Sequence, residues 1–489
     1  MVLFNLDDDR TWKGLLVLGL LLNLMVCFTS ELGLDTHVKM AVDENGGLPW
    51  GDLRPDSAGF SDPTDVGERS VLPIYQASEG VIKATALMIF VGLIAYVHRT
   101  VGLRSAAVLS LSPALIFSIG RGYEEVHMAL AFGLAFGLFT QLWSKQQPLA
   151  QNLLGGLLLM FIPFSKGMAE PSHVLGGAVL LGTCGMLWHI GQTSERERLQ
   201  WLKHPLRAAT VSTSAVFAFI LVVGITRSSP TLGVMVDEPL RYASAVALAV
   251  LDVVLIFTLF GMVLWPLVRP TLQRLGAVED AQLSTMLAMI AAAMTALVLY
   301  VAALWTYESV LWDAPWPGVV FTMGNNGRYV TLLFLPLVVF LNQMHMAHDA
   351  PTIDAPGLHV RAVGMTLLLL IPISLLAGLH GQTMWTDEAA DAMPIEQDEH
   401  FLFVSDATLG MHWLYTFYEP LDAEANNITG HWRSTDVNWV DDLQQNLPQV
   451  TVIVLSPDVG NVPTGWVVES TGEADLLNGG GEWRVLTRT

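Results

Sequence analysis

The chain has 489 residues, of which 52% are hydrophobic and only 14% are charged. Soluble domains carry about 25% charged residues, so this composition predicts an integral membrane protein rather than one large soluble domain. The formal net charge of −21 argues against nucleic acid as a partner, because phosphate binding needs a basic face. Cys27 and Cys184 both lie within apolar runs, so neither a disulfide framework nor a thiolate metal site is predicted.

Eleven apolar runs approach the length of about 20 residues that a membrane-spanning helix needs. They cover residues 14–30, 81–97, 103–119, 126–143, 153–164, 174–190, 208–225, 244–268, 283–305, 330–346 and 363–379. The first run resembles a secretory signal, but no small-residue cleavage site follows it, so an uncleaved first span is predicted. The run 153–164 is the shortest. If this run alone did not span the membrane, the orientation of every later span would invert. If neither it nor the run 174–190 spanned, the later spans would keep their orientation.

Basic residues accumulate in alternate loops between these runs, as they do in short cytoplasmic loops. The opposite loops are longer and more acidic. This pattern predicts a multi-pass protein of the cell membrane with its amino terminus inside and its carboxyl terminus outside. The basic residues on the predicted inner side are Arg10, Lys13, Arg99, Arg104, Lys145, Arg196, Arg198, Lys203, Arg207, Arg269, Arg274 and Arg361.

The sequence changes character after the last apolar run. Residues 1–380 form the predicted membrane domain, with a long first outer loop at 31–80, and residues 381–394 form an acidic linker. The remainder, 395–489, alternates short β-rich runs such as HFLFVSD and VTVIVLSP with helix-like ones such as DVNWVDDLQQNLPQ, which is typical of βαβ units. The predicted fold class is therefore a polytopic α-helical membrane protein with about eleven transmembrane helices and a small C-terminal extracytoplasmic α/β domain.

The first outer loop opens with ELGLDTHVKM, which contains Glu31, Asp35 and His37. If the first helix continues outward, Glu31 and Asp35 share one face because they are four residues apart. Two such carboxylates could hold a divalent cation or act as a base toward an acceptor hydroxyl. The alternative is a solvated loop that is acidic because it lies outside.

The second outer loop, SIGRGYEEVHMAL, holds Arg121, Glu124, Glu125 and His127 close to the membrane surface. Ionisable groups at membrane depth usually mark a functional site, and this interpretation is favoured. The alternative is an exposed helix start in which the two glutamates favour the helix dipole.

A late outer loop, WTYESVLWDAPWPGVVFTMGNNGRYVTLLFLPL, contains Trp312, Trp316 and Arg328. Indole faces suit sugar rings, and a guanidinium at a helix start suits a phosphate. The alternatives are an interfacial aromatic belt and a snorkelling arginine. Asp252 is a lone acid within AVALAVLDVVLIFTLF. It is expected either to be buried against a polar partner or to belong to an ion pathway.

Three short motifs resemble the membrane-embedded C-type (GT-C) glycosyltransferase superfamily, which uses polyprenyl-phosphate-linked sugars. They are GLDTH just after the first span, GRGYEEVHM between the third and fourth spans, and GNNGRYVTLLFLPL before a late span. The C-terminal outer domain also matches the architecture of that superfamily. A DxD-type triplet in the first loop and a WWD-like signature are absent from the sequence, which argues against transfer of whole glycans to Asn.

The resemblance implies an inverting hexosyl- or pentosyltransferase that moves a sugar from a polyprenyl-phosphate donor to a glycan, lipid or protein acceptor on the outer face. Asp35 would be the general base. Glu124 and Glu125, supported by Glu31 and His37, would orient the acceptor or a Mg or Mn ion held with Asp35. Arg328, with Arg121, would bind the donor phosphate, and Trp312 and Trp316 would stack on sugar.

The competing hypothesis is a non-enzymatic polytopic membrane protein, either a transporter or a scaffold that presents the external domain. It predicts that the essential polar residues lie between helices, as Asp252 would. The transferase hypothesis predicts that they cluster outside around Asp35.

Overall fold

The computed structural model describes most of the helical part of the chain and most of the C-terminal region. The described residues are 8–41, 72–143, 149–166, 169, 171–261, 265–311, 315–322, 328–329, 331–347, 364–365, 367–369, 372, 384–405, 410–435, 438–457, 459–474 and 480–489. Trp312, most of the first outer loop and most of the predicted span 363–379 lie outside these residues.

The described residues up to 347 are mostly helical. The helices are α1 Asp9–Thr29, α2 Leu34–Met40, α3 Glu79–Thr100, α4 Leu103–Ser110, α5 Pro113–Gly120, α6 Glu125–Phe139, α7 Leu149–Ser165, α8 Pro171–Thr193, α9 Pro205–Ile225, α10 Pro230–Asp237, α11 Pro239–Gly261, α12 Trp265–Arg274, α13 Ala281–Leu311, α14 Val319–Thr322 and α15 Thr331–Ala347. Short 3₁₀ turns occupy Pro73–Gln76, Glu197–Lys203 and Leu275–Ala277. The central helices pack around a core that includes Phe90, Ile119, Phe136, Met286 and Val339.

Five helices in the described part of the chain are long and apolar enough to cross a membrane, which supports the membrane-protein prediction. They are Asp9–Thr29, Glu79–Thr100, Pro171–Thr193, Pro205–Ile225 and the segment Ala281–Val310 of α13. Shorter apolar segments lie at Glu125–Phe139, Leu149–Ser165 and Leu332–Met344. The run 153–164 is helical as part of α7, with Pro163 inside the helix.

One predicted span differs from the structure. The run 103–119 was predicted as one helix, but it forms α4 and α5 with a break at Leu111 and Ser112. Ser112 is extended, since a residue before proline is disfavoured in the helical conformation, and Pro113 has no N–H to continue the helix. The run 244–268 lies in α11, which begins earlier, and in the start of α12, and residues 262–264 between them are outside the described residues.

The C-terminal region, residues 384–489, contains a five-stranded sheet, as the alternating runs predicted. Its strands are β1 His400–Ser405, β2 Thr429–Ser434, β3 Val450–Leu455, β4 Trp466–Glu473 and β5 Glu482–Arg488, in the order β2-β1-β3-β5-β4. The first three are parallel, whereas β5 is antiparallel to β3 and β4. The helices here are α16 Trp385–Asp391, α17 Gly410–Tyr415, α18 Ala423–Asn426 and α19 Trp439–Gln445. Strand β2, TGHWRS, was not predicted, because its glycine and polar residues conceal the apolar pattern.

Both faces of the parallel strands β1 and β3 are covered, as is usual for parallel strands, whereas the edge strand β4 is mostly exposed. Leu402 and Val404 pack on one face with α19 residues. Phe401 and Phe403 pack on the other face in a core that also contains Val38 from α2. The C-terminal region therefore lies directly against the segment that follows the first membrane helix.

Candidate functional site

The turn between α1 and α2 determines where Asp35 lies. The first helix ends at Thr29, and the hydroxyl of Ser30 donates a hydrogen bond to the carbonyl of Val26 at 2.6 Å. Gly33 is extended, and its N–H donates to the carbonyl of Arg121 at 3.0 Å. The helix therefore does not continue through Glu31 to Asp35, and the prediction that these two carboxylates share one helix face is wrong.

A glycine is needed at position 33 because the chain passes close to an aromatic ring. A Cβ at Gly33 would lie 2.2 Å from the ring of Tyr123. The hydroxyl of Thr36 also donates to the carbonyl of Arg121 at 2.9 Å. The start of α2 is thus fixed on the turn that precedes α6, which brings Asp35 beside that turn.

The turn before α6 is fixed by the conformation of Gly122 and by a hydrogen bond from Tyr75. Gly122 has a φ of +65°, a left-handed conformation that favours glycine. The hydroxyl of Tyr75 donates to the Gly122 carbonyl at 2.9 Å. Glu124 and Glu125 follow at the start of α6, and both are buried.

Arg328 connects the two motifs. Its Nη2 contacts Oδ2 of Asp35, and its Nε lies 3.2 Å from Oε1 of Glu125. The guanidinium carbon lies 3.9 Å from the centre of the Tyr123 ring, a distance at which a cation is attracted to the ring face. Asp35, Glu125 and Arg328, which the sequence places on three different loops, therefore meet at one point.

Two lysines complete the group. The ammonium of Lys166, just after α7, lies 2.9 Å from Oε1 of Glu125 and 2.5 Å from Oε1 of Glu124. Lys39, on α2, contacts the other oxygen of Glu124. We call these six residues the ion cluster: Asp35, Lys39, Glu124, Glu125, Lys166 and Arg328.

Asp35 is the open member of the ion cluster. Its side chain is 29% exposed, whereas the side chains of the other five are at most 11% exposed. Asp35 is therefore the most accessible member of the ion cluster, and its partner Arg328 is buried.

The basic groups set the ionisation of Asp35. Burial acts to raise the pKa of this carboxyl, but Arg328, aided by His412 and the two lysines, outweighs burial and holds the pKa well below its usual range. Burial would lower the pKa of Arg328, yet the carboxylates of Glu125 and Asp35 raise it. Burial and the neighbouring Lys166 lower the pKa of Lys39. Asp35 and Arg328 thus form a charged pair that ordinary pH does not break.

The C-terminal region contributes one side chain to this site. His412, on α17, is 9% exposed, and its Nε2 lies 3.5 Å from Oδ1 of Asp35. The two oxygens of Asp35 therefore face different partners, Arg328 on one side and His412 on the other.

Glu31 and His37 do not belong to the ion cluster. They lie in a second group with Glu79 and Asp387, which we call the neighbouring acidic group. His37 Nε2 is 4.0 Å from Oε1 of Glu31. Burial and the charge of Glu79 raise the pKa of Glu31 to about 7, and burial lowers that of His37 to about 4. On the side of the C-terminal region, burial raises the pKa of Asp387 to about 6, with Glu79 contributing.

Two other predicted site residues, Arg121 and Trp316, lie near the ion cluster. Arg121 is buried, with its guanidinium carbon 4.9 Å from the centre of the Phe117 ring, and it interacts electrostatically with Glu31 and Arg328. Trp316 is half-buried and packs between the core of the C-terminal region and that of α11 and α13. Trp312 lies outside the described residues.

The donor set does not fit a divalent cation. Each of the three carboxylates already contacts at least one basic side chain, whereas a hard cation needs several free oxygens. Within the described ranges, no group of three or more His, Cys, Asp or Glu side chains is placed to hold a metal ion. We therefore assign no chemical step to a metal.

Sequence reasoning missed Lys39, Lys166 and His412 as site residues. Lys39 lies in the quoted motif ELGLDTHVKM, and its presence beside acids at a membrane boundary was an available signal. Lys166 closes the short apolar run 153–164 and was equally visible. His412 carried no signal, since its region was predicted only as a separate domain.

Comparison of the chain with protein-family models, with curated proteins and with solved structures returned no match.

Proposed function

We propose that the protein is a GT-C-type glycosyltransferase, which transfers a hexose or pentose from a polyprenyl-phosphate donor to an acceptor on the outer face of the cell membrane. The observation that carries the proposal is the Asp35–Arg328 pair at the exposed edge of a buried ion cluster. This pair joins a carboxylate that can accept a proton to a cation that can bind phosphate.

Binding of the donor would exchange the partners of Arg328. A phosphate diester oxygen is an anion, so it competes with the Asp35 carboxylate for the guanidinium. Once that contact is lost, the main cause of the low pKa of Asp35 is removed. Donor binding would therefore convert Asp35 from a strongly paired anion into a usable base.

The transfer step then follows as a direct displacement. The acceptor hydroxyl loses its proton to Asp35 while its oxygen forms a bond to the anomeric carbon of the sugar. The bond between that carbon and the phosphate oxygen breaks, and its electron pair remains on the phosphate, which gains one negative charge. A single displacement inverts the anomeric configuration.

The leaving phosphate would be stabilised by the basic members of the ion cluster. Arg328 is already in place, and Lys166 and Lys39 lie behind it on the two glutamates. In this scheme Glu124 and Glu125 hold these cations in position, so the field is organised before charge develops. Trp316 offers a half-buried ring at the junction with the C-terminal region for contact with a sugar.

The same proposal includes the full topology, with about eleven crossings, the amino terminus inside and the C-terminal region outside. Two observations support it. Asp35, Lys166 and Arg328 follow or precede helices whose alternation brings all three to one end of the bundle. The basic loops on the opposite side agree with cytoplasmic placement of that end.

The transporter hypothesis is less well supported. Asp252 is half-buried on α11, and within the described ranges it forms no ion pair with another side chain. A proton or ion pathway usually uses a chain of such groups.

The test is transfer of labelled sugar from a panel of polyprenyl-phosphate sugars by the full-length protein in lipid nanodiscs. Asp35→Asn should lower the transfer rate about 10²- to 10⁴-fold, the usual contribution of a general base. Asp237→Asn is the matched control, because it removes an exposed carboxylate that is paired with Arg227, and it should leave the rate unchanged. Loss of function with Asp252→Asn but not with Asp35→Asn would overturn the proposal.

A further inference from the structure

The contact between His412 and Asp35 crosses from one part of the molecule to another. His412 belongs to α17 of the C-terminal region, and Asp35 to α2 directly after the first membrane helix. Its Nε2 lies 3.5 Å from Oδ1 of Asp35, on the opposite oxygen from Arg328. Hydrogen bonds of catalytic groups are often long before substrate binds and shorten in the complex.

The backbone that carries His412 is fixed by its surroundings. Leu414 and Tyr415 are buried in the same core as Val38 of α2. At the other end of α17, a Cβ at Gly410 would lie 2.2 Å from Nε1 of Trp432, so the helix begins in close contact with β2.

A hydrogen bond between neighbouring helices strengthens this position. The hydroxyl of Thr416, four residues after His412, donates to the hydroxyl of Thr386 on α16 at 2.8 Å. The imidazole therefore reaches Asp35 from a rigid support, which is the requirement for a group that positions another.

Donor binding creates a need for such a group. When a phosphate takes Arg328, Asp35 is released from its strongest partner. The basic side chains that still act on Asp35 are those of His412, Lys166 and Lys39. If one of the lysines paired with the Asp35 carboxylate, the carboxylate would turn toward the interior and lose contact with the acceptor. A partner that stays on Oδ1 keeps Oδ2 directed at the acceptor hydroxyl.

We propose that His412 is a positioning residue, which holds Oδ1 of Asp35 while Oδ2 exchanges Arg328 for the acceptor proton. This role makes the C-terminal region part of the site rather than an attached module. The inference rests on the proposed transferase function, and it adds a residue that the three outer-loop motifs do not include.

The experiment compares two variants of His412. His412→Leu removes the hydrogen-bond donor to Asp35. His412→Gln has an amide N–H₂ that can replace Nε2–H as the hydrogen-bond donor but cannot carry a proton. Sugar transfer is measured with the full-length protein in nanodiscs. His412→Leu should lower kcat about 10- to 100-fold with little change in KM for the donor, because phosphate binding is assigned to Arg328. His412→Gln should recover most of the lost kcat.

A matched control uses another histidine–carboxylate contact. His204 Nε2 lies 3.2 Å from Oε1 of Glu279, and neither residue belongs to the ion cluster. His204→Leu should leave kcat unchanged. If His412→Leu does not fold, His412→Phe keeps a ring of similar shape without a donor and takes its place.

Each outcome has a separate meaning. If the wild-type protein transfers no sugar, the proposed function fails. If the wild type is active and His412→Leu is equally active, the inference about His412 fails while the function stands. If Leu and Gln lower kcat equally, the imidazole carries a proton and the positioning role is wrong. Rescue by Gln alone supports the proposal.

Discussion

The two ends of the helical bundle are built from different chemistry. At the end that bears Asp35, buried carboxylates meet buried basic side chains. At the other end, the buried contacts given below are made by uncharged amides, and the carboxylates of Glu279 and Asp280 are exposed. There the amide of Gln192 donates to the carbonyls of Leu202 and Ala281 at 3.2 and 3.0 Å, and Gln282 donates to the carbonyl of Thr140 at 3.0 Å.

This difference shows that the fold can join helix ends without burying charge. A neutral hydrogen bond contributes about 1 kcal/mol to the free energy of unfolding, so the contribution of each such contact is small. A buried charge costs several kcal/mol in lost hydration, and its partner repays this only when the geometry is good. Since uncharged contacts join helix ends in the same molecule, helix packing alone does not require the ion cluster, which agrees with the proposed site.

The largest effect is expected when the charge of Arg328 is removed. Arg328→Gln leaves the carboxylates of Asp35 and Glu125 without their shared cation, and loss of one partner of a buried ion pair costs about 3–5 kcal/mol. We expect a lower apparent Tm in detergent and no sugar transfer. Arg227→Gln, which removes the cation of an exposed pair with Asp237, is the control and should change neither. An unchanged Tm for Arg328→Gln would mean that the ion cluster is not formed as described.

The neighbouring acidic group makes stability depend on pH, which distinguishes it from the uncharged end. Burial and Glu79 raise the pKa of Glu31 to about 7, so the folded protein favours the neutral acid. The stability associated with Glu31 is therefore present below its unfolded pKa of about 4.3 and is lost as the pH rises through about 7. Glu31→Gln mimics the neutral acid, and it should raise the apparent Tm at pH 8 by the equivalent of about 1–3 kcal/mol.

His37 opposes this effect in the same pH range, since burial lowers its pKa to about 4. Its neutral form is favoured in the folded protein, so its contribution to stability is lost as the pH falls from about 6.5 toward 4. The comparison of Glu31→Gln with wild type should therefore be made in parallel with the same pair in a His37→Gln background. A stabilisation at pH 8 that persists at pH 4 would show that ionisation of Glu31 is not its cause.

The smallest effect is expected at the uncharged end. Gln192→Leu removes two hydrogen bonds to backbone carbonyls, and each is worth about 1 kcal/mol. The apparent Tm should fall less than for Arg328→Gln, and sugar transfer should be retained. A loss of transfer with normal folding would remove the functional contrast between the two ends.

Several of these features follow from the sequence for physical reasons. Long apolar helices and alternating strand runs are local patterns, so α1, α3, α8, α9 and the apolar strands β1 and β3 could be predicted. Glu125 was singled out because ionisable residues at membrane depth usually mark a site, Arg328 because a guanidinium at a helix start suits a phosphate, and Asp35 because its motif resembles that of the GT-C superfamily. The break between α4 and α5 was missed although Ser112-Pro113 marks it, because apolar composition was given more weight than the proline.

The partners of the site residues could not be predicted in the same way. Asp35 and Arg328 are 293 residues apart, and no local pattern specifies that they meet. Lys39 and Lys166 are ordinary lysines until packing buries them against glutamates. His412 depends on how the C-terminal region sits on α2, which is a property of the core around Val38 rather than of any motif.

The most direct test is a structure of the full-length protein in nanodiscs with a bound polyprenyl phosphate. The account predicts phosphate density on the guanidinium of Arg328, with the Asp35 carboxylate released from that contact and still beside His412. Phosphate bound elsewhere, with the Asp35–Arg328 pair intact, would contradict it.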